Sequence, residues 1–126
     1  MESVIYFPET GSFICASEKK PITFYEVKFN QTKLFGQEVL SHLKIKLLVN
    51  DVSGVTCFNN KKVILSDDSN LVLFLDENDK VSGQVSLEAG LNGLTEDVYQ
   101  AEGICFNGDD LIIASEPDMI YFFKKK

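Results

Sequence analysis

Short runs of β-branched and aromatic residues, each closed by a cluster of Pro, Gly, Asn or Asp, recur along the whole chain. That pattern predicts strands joined by tight turns. The first group is Val4–Phe7, the turn Pro8-Glu9-Thr10-Gly11, Ser12–Ser17, a break at Lys19-Lys20-Pro21, and Ile22–Phe29. The second is Gly54–Phe58, the turn Asn59-Asn60-Lys61, Lys62–Ser66, Asn70–Leu75, the turn Glu77-Asn78-Asp79, and Val81–Leu87. The third is Gly103–Phe106, the turn Asn107-Gly108-Asp109, Leu111–Ser115 and Met119–Phe123. Each group is an antiparallel meander. Their second strands end on Ser17-Glu18, Ser66-Asp67 and Ser115-Glu116, 49 residues apart each time. A fixed period of this size filled with short strands predicts radially arranged four-stranded units, the blades of a β-propeller.

The expected fold is therefore all-β, a partial propeller of about two and a half blades in one domain over 1–126, with blades near 1–50, 51–99 and 100–126. Only the second group carries a clear fourth strand directly after its third, and the third group stops after three. In the first, Phe35, Val39 and Leu43 recur at helical spacing before Lys44-Ile45-Lys46-Leu47 alternates. This predicts a brief helical turn feeding an outer strand. Residues 88–101 are Gly-rich without a sustained period, a long connection of the kind that often carries function.

Charge narrows the partners. With 12 Lys+Arg against 19 Asp+Glu and a net charge of −7, the field repels phosphate backbones, and nucleic acid is not an expected partner. The basic cluster is Lys124-Lys125-Lys126. No apolar run approaches the ~20 residues of a spanning helix, and MESVIYFPE lacks the basic and apolar regions of a secretory signal. As written, the chain is expected in the cytoplasm. Cys15, Cys57 and Cys105 are flanked by apolar residues without CxxC spacing, which predicts buried free thiols.

At SLEAGLNGLTEDVYQAEGICFNGDDLIIASEPDMIYFF the pattern becomes specific. Gly93-Leu94, Gln100-Ala101-Glu102-Gly103 and Ser115-Glu116-Pro117 stand in the order and at about the distances of a known family. Asp51-Val52-Ser53-Gly54 and Ser17-Glu18-Lys19-Lys20-Pro21 match its internal motifs. The chain resembles the C-terminal half of the bacterial SdiA-regulated family, propellers distantly similar to NHL-repeat proteins. The resemblance implies a ring of five or six blades, attachment to the bacterial cell envelope, bound calcium and no established reaction. It also implies that this chain is a half-length version whose first blades have no counterpart here.

Six acids recur at two places in the repeat. Glu2, Asp51 and Glu102 lie at or just before a first strand, and Glu18, Asp67 and Glu116 close a second one. In a propeller these places converge near one mouth of the central channel, where hard oxygen donors from several loops suit Ca²⁺. Glu102 and Glu116 lie in the best-matching segment, with Asp51 and Asp67 as their counterparts and Glu2 and Glu18 as the weaker pair. The same acids can instead satisfy turn N–H groups.

Other chemistry finds little support. Asp67-Asp68-Ser69-Asn70 lacks the Gly and terminal Glu of an EF-hand loop. His42 is the only histidine and lies in the connector, away from every recurring Ser. Gly83, Gly90, Gly93 and Gly103 fall in no phosphate-loop order. The strands ITFYEVKF and MIYFF alternate as core strands do.

The expected function is a noncatalytic ligand- or calcium-binding module whose small-molecule ligand is unidentified. The alternatives are a Ca²⁺-dependent hydrolase of the esterase or lactonase kind, and a structural scaffold or fragment without independent activity. The expected partner is a second copy, or a missing N-terminal half, meeting exposed blade flanks.

Overall fold

A computed structural model describes residues 3–7, 11–16, 24–30, 33–40, 49, 51–116 and 118–124. Every regular element among them is a strand: β1 (Ser3–Phe7), β2 (Ser12–Ala16), β3 (Phe24–Asn30), β4 (Lys33–Leu40), β5 (Gly54–Phe58), β6 (Lys61–Ser66), β7 (Leu71–Leu75), β8 (Val81–Ser86), β9 (Ala101–Asn107), β10 (Asp110–Ser115) and β11 (Met119–Phe123). They form three antiparallel sheets in chain order, β1-β2-β3-β4, β5-β6-β7-β8 and β9-β10-β11. The first strand of each sheet packs beside the first strand of the next, β1 on β5 and β5 on β9. Meanders stacked through their innermost strands make a partial β-propeller.

Turn chemistry explains the hairpins. Asn59 and Asn60 both take positive φ, 52° and 61°, so two residues reverse the chain between β5 and β6 with the twist that a tight hairpin needs. At β9–β10 the positive φ falls on Gly108. Asp76 closes the β7–β8 turn by accepting the Asn78 and Lys80 N–H groups on Oδ1, at 2.8 and 3.0 Å.

The first sheet departs from expectation. Residues 35–40 belong to β4, which pairs antiparallel with β3 from Asn30↔Lys33 to Phe24↔Leu40. The fourth strand therefore follows the third after two residues, as directly as in the second sheet. The Phe35–Val39 interval that suggests a helical turn falls inside β4, whose register shifts near its end so that Tyr25 pairs with Glu38 and Phe24 with Leu40. Leu43, His42 and the segment 44–47 lie outside the described residues.

The middle sheet is covered on both faces, which the burial of β6 makes plain. Ile64 and Leu65 are adjacent, point to opposite faces, and are both fully buried. Ile64 joins Val49, Val52, Leu73 and Leu75, against which Ile5 of the first sheet packs. Leu65 joins Val63, Val72, Leu87, Val98, Ala101, Leu111 and Ile113, a core shared by the second and third sheets. Phe106 lies between Phe58 and Phe74 across that boundary, with ring centroids 4.5 and 6.1 Å away.

Gly54 decides how closely the second and third sheets approach. A Cβ there would stand 3.1 Å from Ile104 Cγ2 and 3.3 Å from Leu65 Cδ2. Gly54→Val is therefore expected to overpack the boundary and cost about 1–3 kcal/mol in urea unfolding. A change below about 0.5 kcal/mol would show that the sheets are not held this tightly.

The thiols differ from expectation as well. Cys57 is half-buried and Cys105 is exposed, both free. Cys105 pairs with Ile112 on the face of the third sheet turned away from the second, so no following sheet within the described residues covers it. The Cys15 side chain lies outside the described residues.

Candidate functional site

The antiparallel registers Gly54↔Leu65 and Gly103↔Ala114 bring the entry of each first strand beside the exit of each second one. Asp51, Asp67 and Asp68 thus lie at the same end of the second sheet. Glu102, Ser115 and Glu116 lie at the corresponding end of the third, and one bond joins the two groups: the Ala101 N–H donates to Asp67 Oδ1 at 3.0 Å. The four acids expected from the sequence therefore share one end of two adjoining sheets. Glu2, Glu18 and Ser17 lie outside the described residues.

Asp51 is the most constrained of the acids. It is buried just before β5, where its Oδ1 accepts the Ser66 hydroxyl at 2.6 Å and the Asp68 N–H at 3.2 Å. Burial pushes its carboxyl above the usual aspartate range. The Ser66 and Asp68 hydrogen bonds pull it down, and the charges of Asp68 and Asp67 push it up further. Ser66 is fully buried at the end of β6, and Ser115 is buried at the end of β10. The recurring serine is thus an interior hydroxyl, and at Ser66 its partner is Asp51.

The third sheet does not repeat this pair. By the 49-residue offset that places Gly54 on Gly103, Asp51 corresponds to Gln100, and Ser53 to Glu102. Gln100 has a φ of 48° and its carbonyl accepts the Glu116 N–H at 3.2 Å. Glu102 and Glu116 are both exposed. Oxygen-only donors of this kind suit Ca²⁺. Among the described residues, however, no three carboxylate, imidazole or thiol groups converge as a metal site. These residues do not by themselves make a calcium cage.

With this architecture in place, the family match is decisive: the SdiA-regulated family model fits residues 1–124. The chain belongs to the SdiA-regulated family. The match covers every candidate acid, and it covers all three sheets of this SdiA-regulated chain rather than one motif.

Sequence reasoning found the acids and offered backbone N–H groups as their partners, which Asp51 and Asp67 do accept, but it did not find which groups these are. The roles of Ser66 and of the Asp68 N–H in holding Asp51, and of Asp67 in tying the second sheet to Ala101, depend on which strand ends meet. The recurrence of a Ser-acid pair was the available signal. A second feature of this SdiA-regulated protein had a partial signal in the long 88–101 connection, whose Asn92, Gly93 and Leu94 line it. A cavity of about 520 Å³ opens between the second and third sheets beside β11, with Val85, Leu94, Tyr121, Phe123 and Lys124 among its walls. None of the four described candidate acids, Asp51, Asp67, Glu102 and Glu116, lines it.

Proposed function

We propose that this chain is a noncatalytic ligand-binding propeller module whose binding end is the acidic end built from Asp51, Asp67, Glu102 and Glu116, with Ca²⁺ the first ligand to test. The observation that carries this reading is Asp51. Its carboxylate is held against burial and against the neighbouring charges of Asp68 and Asp67, so a cation at this end would relieve an unfavourable charge. Its Oδ1 already accepts two hydrogen bonds within the fold, an arrangement that suits a fixed electrostatic anchor better than a base that exchanges protons.

Calorimetric titration with Ca²⁺ tests the site. Wild-type protein is expected to take up Ca²⁺ and to gain ~2.7 kcal/mol of stability at a hundredfold excess over Kd. Asp51→Asn keeps an oxygen for the Ser66 hydroxyl and removes the charge, so it is expected to fold and to lose that gain. The same response from both proteins, or from neither, overturns the site.

A further inference from the structure

The two outward flanks of the three-sheet stack carry apolar residues that correspond, position by position, to residues covered inside it. Superposing the strand registers places Val63, Leu65, Val72 and Phe74 of the second sheet on Ile112, Ala114, Ile120 and Phe122 of the third. In the second sheet these residues form or border the core shared with the next sheet. In the third they face outward, Ile120 at 60 % and Phe122 at 61 % exposure, and Cys105 lies beside them.

The opposite flank shows the converse. The same superposition places Val4 and Tyr6 of β1 on Val55 and Cys57 of β5, and on Ile104 and Phe106 of β9. Ile104 and Phe106 pack on the preceding sheet, and Cys57 borders the core shared with the first. Val4 is 57 % exposed and Tyr6 47 %, the latter paired with Phe13 at 5.1 Å between ring centroids. One flank has the chemistry of a face that receives a following sheet. The other has the chemistry of a face that docks onto a preceding one.

Glycine supplies the matching shape. Inside the chain, the missing Cβ of Gly54 leaves the place that Ile104 Cγ2 approaches. Gly103 is the register equivalent of Gly54, and a Cβ there would meet only Ala114 Cβ, at 3.5 Å. Its flank therefore keeps the same recess open. The residue that corresponds to Ile104 in the first sheet is Val4.

We propose that a second copy of this chain docks its first sheet on the outward flank of the third sheet, head to tail, with Val4 of the second copy seated at Gly103 as Ile104 is seated at Gly54. The contact continues an interface that the chain already makes between its second and third sheets. Repeated once in each direction it closes two chains into a ring of six sheets, within the four to eight that propellers use.

Light scattering coupled to gel filtration tests this at micromolar concentration, where wild-type protein is expected at twice the 14.1 kDa chain mass. Gly103→Leu and Val4→Asp are each expected to weaken the dimer at least tenfold while keeping the wild-type circular dichroism. Should Val4→Asp unfold, Tyr6→Glu on the same flank takes its place. Loss of the dimer in both flank variants supports the head-to-tail contact, because a flank pairing with its own copy would respond to only one. A wild-type monomer, an open-ended polymer, or a dimer that survives either substitution overturns the proposal.

Discussion

Truncating Leu65 to alanine is expected to lower the unfolding free energy by about 2–5 kcal/mol, and truncating its neighbour Ile64 by a similar amount. Both side chains are fully buried, so each loses its transfer energy and leaves a cavity. The two tests interrogate different boundaries. Ile64→Ala empties the core against which Ile5 packs, and Leu65→Ala the core shared with Leu111 and Ile113. Urea unfolding followed by circular dichroism is expected to show a lower midpoint with an unchanged slope for both. A loss below about 1 kcal/mol at either residue would mean that the neighbouring sheet does not cover that face in solution.

Ser66→Ala is expected to cost about 1–3 kcal/mol at neutral pH, because it strips a hydroxyl donor from a buried carboxylate. The pH dependence carries the sign of the effect. Asp51 already has a folded-state pKa above its unfolded value, so its ionisation opposes folding. That penalty is absent below the unfolded pKa and grows as pH rises through the window up to the folded one. Losing Ser66 raises the folded pKa further, so the deficit of the variant is expected to shrink as the solution is acidified into that window. Thermal melts of both proteins across mildly acidic pH give the comparison. A deficit independent of pH would place the cost in packing alone. Combining Ser66→Ala with Asp51→Asn is expected to restore most of the loss, since the charge that needed the hydroxyl is gone.

The strands were legible because their signals are local. Asn59-Asn60 and Asn107-Gly108 announce hairpins by residue type, and β11 falls on Met119–Phe123 as the sequence pattern places it. The 49-residue interval also survives in three dimensions, with Ser66 and Ser115 closing equivalent strands. What failed was local ambiguity: Phe35, Val39 and Leu43 suit a helix by spacing, and pairing with β3 decides the outcome for 35–40. Cys105 failed for a different reason. Its apolar neighbours belong to a strand whose far face the described chain leaves open, and sequence cannot tell a covered face from an uncovered one. At the candidate site, residue types pointed to the acids, but the bonds from Ser66 and from the Ala101 N–H arise between strand ends that only the register brings together.

The placement of charge along the strands has a consequence for how the molecule meets its surroundings. At the hairpin end three lysines are matched: Lys62 with Asp79 at 2.6 Å, Lys124 with Asp110 at 3.1 Å and Lys61 with Glu77 at 3.8 Å. At the other end stand Asp51, Asp67, Asp68, Glu102 and Glu116, so among the described residues negative charge gathers toward that end of the second and third sheets. In dilute salt, a positively charged solute is drawn to that end and turned before contact, whereas near 0.15 M salt the pull fades beyond about 8 Å. Ionic strength therefore governs from how far away the acidic end selects what reaches it.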